Sequence, residues 1–174
     1  MPVIRTALFP SAEVREQLIA RLAAELAADT PGTSNGEPLA VETPLGQSGR
    51  LYVVVVWSEW DRVPWGERRT LIAAAYQRAS PERLAMLATV TGITWDEADA
   101  NAFFKYKIES TAHPDRVDPK LARKAMLNAG GYDTPTGVML RFLERDAAES
   151  ALDILRKDYP DGLWSALPIV REPD

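Results

Sequence analysis

The stretch Leu51-Tyr52-Val53-Val54-Val55-Val56-Trp57 decides how this chain folds. It is apolar at every position, so it lacks the alternation of apolar and polar residues that marks a strand with one face in water. Unbroken apolar runs are typical of strands covered on both faces. We therefore expect this strand to lie at the centre of a sheet, with residues 39–43 as a hairpin partner joined through the loop 44–49.

The remaining elements follow from apolar residues spaced three and four apart, and from capping residues, proline and glycine at their ends. The predicted helices cover 11–28, 67–79, 81–90, 94–109, 118–130 and 146–159, and the further strands 138–143 and 163–170. This order predicts an α+β fold, a small mixed sheet with a central valine-rich strand packed by several helices. We expect an α-β-β-α-α core over 1–110 and an α-β-α-β extension over 111–174 packed on the same core, with a single compact unit as the alternative.

The composition is that of an ordinary folded domain. The chain has 174 residues, of which 46% are hydrophobic and 26% charged, and its formal net charge is -5. The length fits one domain, or one domain with an elaborate extension. A negative balance argues against binding of the whole molecule to nucleic acid or anionic lipid, because both require a positive surface.

Missing residue types exclude several chemistries. Because the chain contains no cysteine, thiol nucleophiles, disulfides, iron–sulfur ligation by its own thiols and cysteine-containing zinc sites are excluded. The first ten residues contain no signal-peptide core, and the longest apolar run is far shorter than the roughly 20 residues of a membrane helix. We therefore expect a soluble cytoplasmic protein without a membrane partner or a cofactor.

Aromatic residues are concentrated where the central strand leads into the next helix. Trp57, Trp60 and Trp65 lie there, with Arg68 close behind in the sequence. Loops at strand ends are common binding sites, and tryptophan and arginine often anchor protein contacts. We expect at least two of the tryptophans to wedge the strand against the helices, and Trp65, beside Pro64 and Gly66, to be the exposed ring. Trp57, Trp60, Trp65 and Arg68 are the predicted interaction residues.

Candidate ligand-binding residues are few. His113, the only histidine, falls in a predicted turn, and the turn 131–137 contributes Asp133 and Thr136. The cluster Asp96, Glu97 and Asp99 also suggests metal binding, but acidic residues in the first turn of a helix are explained by the positive end of its dipole. We therefore predict no metal site.

The middle of the chain is its only positive segment. Residues 105–145 contain 8 basic and 5 acidic residues, and the basic ones include Lys105, Lys107, Arg116, Lys120, Arg123 and Lys124. Such a patch could bind phosphate or an acidic partner. The sequence has no phosphate-binding glycine motif, so a solvated surface is the favoured explanation and nucleic acid ranks last among the partners.

The run Val53 to Trp60, Arg68 at the start of a helix, and Ile93-Thr94-Trp95-Asp96-Glu97 resemble the BolA family. The resemblance covers residues 11–97 and leaves 98–174 without a counterpart. It implies a KH-like α+β core and a role as a regulator or as a partner of monothiol glutaredoxins. The family's histidine corresponds to Arg69 here and no cysteine replaces it, so the resemblance does not extend to iron–sulfur ligation.

The sequence offers few residues that could act as nucleophiles or as general acids and bases. This favours a non-catalytic interaction or regulatory protein. It would act through the aromatic-rich surface, on a protein partner or on itself as a homodimer. The alternative is a small enzyme or small-molecule-binding protein with a cleft between the two halves of the chain. That cleft would use carboxylates, Arg68, His113 and the turn at Asp133 and Thr136.

Overall fold

The chain has an α+β fold, seen in a computed structural model that describes residues 10–28, 38–110, 118–132 and 140–170. The helices are α1 (Ala12–Leu26), α2 (Trp65–Ala79), α3 (Pro81–Leu84), α4 (Trp95–Ala100), α5 (Pro119–Asn128) and α6 (Arg145–Asp158). The strands are β1 (Leu39–Pro44), β2 (Leu51–Val56), β3 (Leu87–Ile93), β4 (Tyr106–Ser110), β5 (Arg141–Phe142) and β6 (Trp164–Pro168). Short 3₁₀ turns cover Ser58–Arg62 and Pro160–Gly162.

The chain divides between Thr94 and Trp95 into two compact units. The division drawn from the sequence falls later, after residue 110. The difference has a physical reason: β4, which precedes residue 111, pairs with β5 and with β6. Its hydrogen bonds therefore tie it to the second unit.

In the first unit, the valine-rich strand β2 is the central strand of a mixed sheet. It runs antiparallel to β1 and parallel to β3, in the order β1-β2-β3. Five of its six residues are buried, which confirms a strand covered on both faces. Helices α1 and α2 pack together, and Leu22, Leu71 and Ile72 fill the core with the inward side chains of β2.

The second unit builds a separate core. Its sheet has the order β5-β4-β6, and β4 runs antiparallel to both neighbours. Helices α5 and α6 contribute Met126, Leu152 and Leu155 to a core that also contains Phe142. Asp118 caps α5 as predicted, because its side chain accepts a hydrogen bond from the Lys120 amide at 2.9 Å.

Two predicted helices begin as expected but end much earlier. The helix predicted over 81–90 is only the single turn α3, and Leu87–Ile93 forms β3. The β-branched residues of this stretch suit a strand, and parallel pairing with β2 decides the outcome. The helix predicted over 94–109 ends at Ala100. Two residues later, Ala102 adopts a positive φ of 49°, which a helix cannot continue through. The segment after it forms β4.

Among the described residues, no helix is long and apolar enough to cross a bilayer.

Candidate functional site

The segment from Trp57 to Arg68 forms a corner between β2, β3 and α2. Trp57 and Trp60 have no exposed surface, and their rings meet edge to face at a centroid distance of 5.2 Å. The Trp60 indole Nε1 donates a hydrogen bond to the Val55 carbonyl at 3.0 Å. These two predicted interaction residues therefore hold the strand against the helices and contribute no area to the surface.

Arg68 is buried beneath the same corner and binds three backbone carbonyls. Only 7% of the residue is exposed. Its Nε donates to Val63 O at 3.1 Å, Nη1 to Gly92 O at 3.1 Å, and Nη2 to Trp60 O at 3.0 Å. The planar guanidinium offers its donors in a fixed fork, so these bonds immobilise the side chain and join α2, the 3₁₀ turn and β3.

Trp65 lies on top of Arg68 and is the exposed ring of the corner. It begins α2 and is 61% exposed, and it is the tryptophan expected to be exposed from its neighbours Pro64 and Gly66. The Arg68 Cζ lies 5.1 Å from the centroid of the Trp65 ring, which is within the range of a cation–π contact. One face of the indole therefore contacts a fixed cation and much of the ring remains in solvent.

Helix α1 contributes charged residues to this region. Arg21 forms an ion pair with Glu59 at 3.4 Å, and its Cζ lies 5.0 Å from the Trp57 ring centroid. Arg15 pairs with Glu67 at 3.0 Å. Two of the acidic residues around the corner are thus paired with arginines from α1.

The predicted ligand-binding residues lie outside the part of the chain that the structure describes. His113, Asp133 and Thr136 fall in 111–117 and 133–139, outside the described residues. Arg116, from the predicted basic patch, also lies outside them. Within the patch, Lys107 forms an ion pair with Glu109 at 2.5 Å.

The second unit contains a groove that sequence reasoning missed. It has a volume of about 590 Å³ and is lined by Asp96, Asp99, Lys107, Arg141 and the chain just after β6. Arg141 Nε and Nη2 donate to the two carboxylate oxygens of Asp99, at 3.1 and 2.9 Å. Because these partners are 42 residues apart, no local pattern reveals them.

Both basic residues of this groove are held in ion pairs. Arg141 is paired with Asp99, and Lys107 is paired with Glu109. Arg141 Nη1 is buried and has no hydrogen-bond partner in the described part of the chain. Across the described ranges, no group of three or more potential metal ligands comes together. Asp99 thus acts as a partner of arginine.

A third polar cluster lies in the first unit. The Tyr76 hydroxyl donates to Glu42 Oε1 at 2.6 Å, and Arg83 bonds the other oxygen of Glu42. Glu42 and Arg83 also line a cavity of about 230 Å³. Burial, reinforced by the Glu42 carboxylate, raises the pKa of Tyr76 well above its usual value, so the phenol is a permanent hydrogen-bond donor.

Comparison with known proteins gives no relative: no family model, curated protein or solved structure matches this chain. The BolA-like resemblance therefore stays a prediction. The geometry of the corner and of the two polar clusters is the only basis for a functional proposal.

Proposed function

We propose that this protein acts by contact with another protein, through the surface formed by Trp65 above Arg68, which we name the Trp65 surface. The observation that carries the proposal is the contrast within one corner, where Trp57 and Trp60 are completely buried and Trp65 is 61% exposed. An exposed tryptophan costs solvation free energy in the free protein, and a partner that covers it recovers that cost.

The Trp65 surface is preorganised for binding. Arg68 cannot move without breaking its bonds to three carbonyls, and the indole rests on that fixed cation. A ring already held in place loses less conformational entropy on binding than a free one. Tryptophan and arginine are also the residues most enriched at the energetic centres of protein interfaces.

The polar clusters support a contact role over turnover. Asp99 is bonded to Arg141, and Glu42 to both Tyr76 and Arg83. Groups bound to one another in this way are poorly placed to exchange protons with a substrate. A cytoplasmic location belongs to the proposal as well, since a chain without cysteine has no need of an oxidising compartment.

The test compares Trp65→Ala with Leu45→Ala. Leu45 is a matched control because it is another exposed hydrophobic residue, 41% exposed, in the loop between β1 and β2. Proteins retained by the immobilised wild-type chain are identified by quantitative mass spectrometry, purified, and titrated against each variant by calorimetry. We expect Trp65→Ala to weaken binding about 10- to 30-fold, as at an interface hot spot, and Leu45→Ala to leave it unchanged.

Trp65→Phe refines the same experiment, because it keeps an aromatic ring over Arg68 and should retain part of the affinity. Equal retention and affinity for wild type and Trp65→Ala would falsify the proposal. Sedimentation velocity on the same three proteins shows whether the contact includes self-association.

A further inference from the structure

The Trp65 surface lies in a basic region of an acidic chain. The formal net charge of the whole chain is -5. Residues 57–69 contain three acidic residues and three arginines, and α1 adds Arg15 and Arg21, which pair with two of the acidic residues. The region therefore has a positive balance, with five arginines and three acidic residues.

The accessible positive charges of this region are Arg62 and Arg69. Both residues are exposed. Glu59 and Glu67 are neutralised by their ion pairs with α1, and Asp61 is the one acidic residue of 57–69 outside those pairs. A ligand that approaches Trp65 therefore meets two accessible guanidinium groups and one carboxylate.

Helical spacing places Arg69 beside Trp65. The two residues are four positions apart in α2, so their side chains share one face of the helix. The one acidic residue of α2, Glu67, is turned toward Arg15 of α1. The exposed face of α2 at Trp65 thus combines an indole and a guanidinium, with no carboxylate of the same helix beside them.

We propose that the Trp65 surface binds an acidic peptide segment of a partner protein. The inference rests on the proposed function, because it names the chemistry of the partner for the same surface. An apolar side chain of the peptide covers the exposed part of the indole, and aspartate or glutamate side chains accept hydrogen bonds from Arg62 and Arg69. Arginine suits this role because its planar fork bonds both oxygens of a carboxylate.

The spacing of the surface indicates how the peptide is arranged. Positions four apart on a helix have Cβ atoms about 5–6 Å apart. Alternate residues of an extended peptide lie about 7 Å apart and point to the same side. A carboxylate two positions from an apolar residue therefore meets Arg69 while the apolar residue covers Trp65. The expected motif is an apolar residue with aspartate or glutamate two positions away.

An acidic peptide suits this surface better than a nucleic acid does. Proteins that bind single strands by stacking use a positive groove that follows the phosphate backbone. Here two accessible arginines flank Trp65, and the chain as a whole is negative. Because the rest of the molecule repels a long polyanion, a short acidic segment that meets only the local field is favoured.

Quenching of tryptophan fluorescence tests the local charge without a ligand. Iodide and caesium ions are quenchers of opposite charge, and a positive field concentrates the anion and excludes the cation. Subtracting the signal of Trp65→Phe isolates Trp65 from the other tryptophans. With each quencher normalised to N-acetyltryptophanamide, we expect iodide to quench Trp65 at least about twofold more efficiently than caesium at low salt.

Charge reversal of single arginines identifies the source of that field. Arg62→Glu and Arg69→Glu should each lower the ratio of iodide to caesium quenching. Arg50→Glu is the matched control, because it makes the same change in net charge at an exposed arginine just before β2. The length of the strand separates it from Trp57 by roughly 20 Å, so we expect no change in the ratio.

A display library of random peptides about 12 residues long tests the ligand chemistry directly. Peptides enriched on the wild type but not on Trp65→Ala should be negatively charged and contain the expected motif. A synthetic copy of the most enriched peptide is titrated by fluorescence anisotropy. Its affinity should fall about fivefold or more in Arg62→Glu and in Arg69→Glu, and less than about twofold in Arg50→Glu. Circular dichroism of each variant establishes that the fold is retained.

The inference is overturned by equal normalised quenching with iodide and caesium, or by equal loss of affinity in Arg69→Glu and Arg50→Glu. It is also overturned if the Trp65-dependent peptides are neutral, basic or absent, or if a labelled single-stranded oligonucleotide binds the Trp65 surface more tightly than the peptide. Failure of the proposed function gives a different result. If Trp65→Ala loses a partner whose binding does not depend on Arg62 or Arg69, the proposed function stands and the acidic preference is rejected.

Discussion

Gly92 lies under two large side chains that cannot move aside. A Cβ at this position would be 3.0 Å from Arg68 Cβ and 3.1 Å from the Trp60 ring. Both neighbours are buried and hydrogen-bonded to the backbone, so Gly92→Ala should reduce the free energy of unfolding by about 1–3 kcal/mol. Gly66→Ala is the opposite control. Nothing lies within 4 Å of its Cβ, and alanine favours the helix by up to about 1 kcal/mol.

Urea denaturation of both glycine variants measures this difference. Changes of the same sign in the two variants would contradict the close packing described at Gly92.

The raised pKa of Tyr76 should make the free energy of unfolding depend on pH. Its pKa is raised by burial first and by Glu42 second, so the folded protein keeps a proton that the unfolded chain releases above about pH 10. This contribution to stability is complete below pH 10 and is lost as pH rises further. The slope for one such proton approaches about 1.4 kcal/mol per pH unit. Tyr76→Phe should flatten the decline between pH 10 and 11, as measured by urea denaturation.

Burial also raises the pKa of Tyr132, so this residue is the comparison for that measurement. An identical decline in wild type and Tyr76→Phe would show that Tyr76 does not cause it.

At the scale of single elements, α5 depends on its cap. The Asp118 carboxylate satisfies one of the amides that the first turn leaves free. Asp118→Ala should therefore destabilise the second unit by about 1 kcal/mol, whereas Asp118→Asn, which keeps an acceptor oxygen, should retain most of the stability. Thermal unfolding of the three proteins tests this expectation. Equal losses for alanine and asparagine would mean that charge, and not the hydrogen bond, is what α5 requires.

Long periodic elements could be predicted from the sequence and short ones could not. Helices α1, α2 and α6 carry apolar residues at helical spacing over 14 or 15 positions, which identifies them. Strand β3 has only seven residues and follows a helical turn that begins with a proline. Local preferences alone therefore predicted that the helix begun at Pro81 continues into this strand. Its structure is determined by β2, which lies more than 30 positions earlier in the sequence.

Separation along the sequence also limits what could be predicted of the candidate site. Trp65 could be recognised as the exposed ring from its neighbours in the sequence. The bonds from Arg68 to Gly92 and from Arg141 to Asp99 span 24 and 42 residues, and only the folded chain brings those groups together.

At the scale of the whole molecule, the two units have cores that share no residue in the part of the chain described. Leu22→Ala and Leu155→Ala each remove a fully buried leucine, one from each core, and each should cost about 2–5 kcal/mol. Hydrogen exchange followed by mass spectrometry should show the loss of amide protection concentrated in the unit that contains the substitution. Equal loss in both units for either variant would show that the cores unfold together.

The bond from Arg68 to Gly92 has a consequence for how this sequence can diverge. A lysine at position 68 presents a point charge in place of a fork and cannot span the same three carbonyls. A side chain at position 92 would press on Arg68 Cβ and on the Trp60 ring, and the arginine would have to shift. Arginine and glycine at these positions should therefore be inherited together, and a descendant that has lost one should have lost the other.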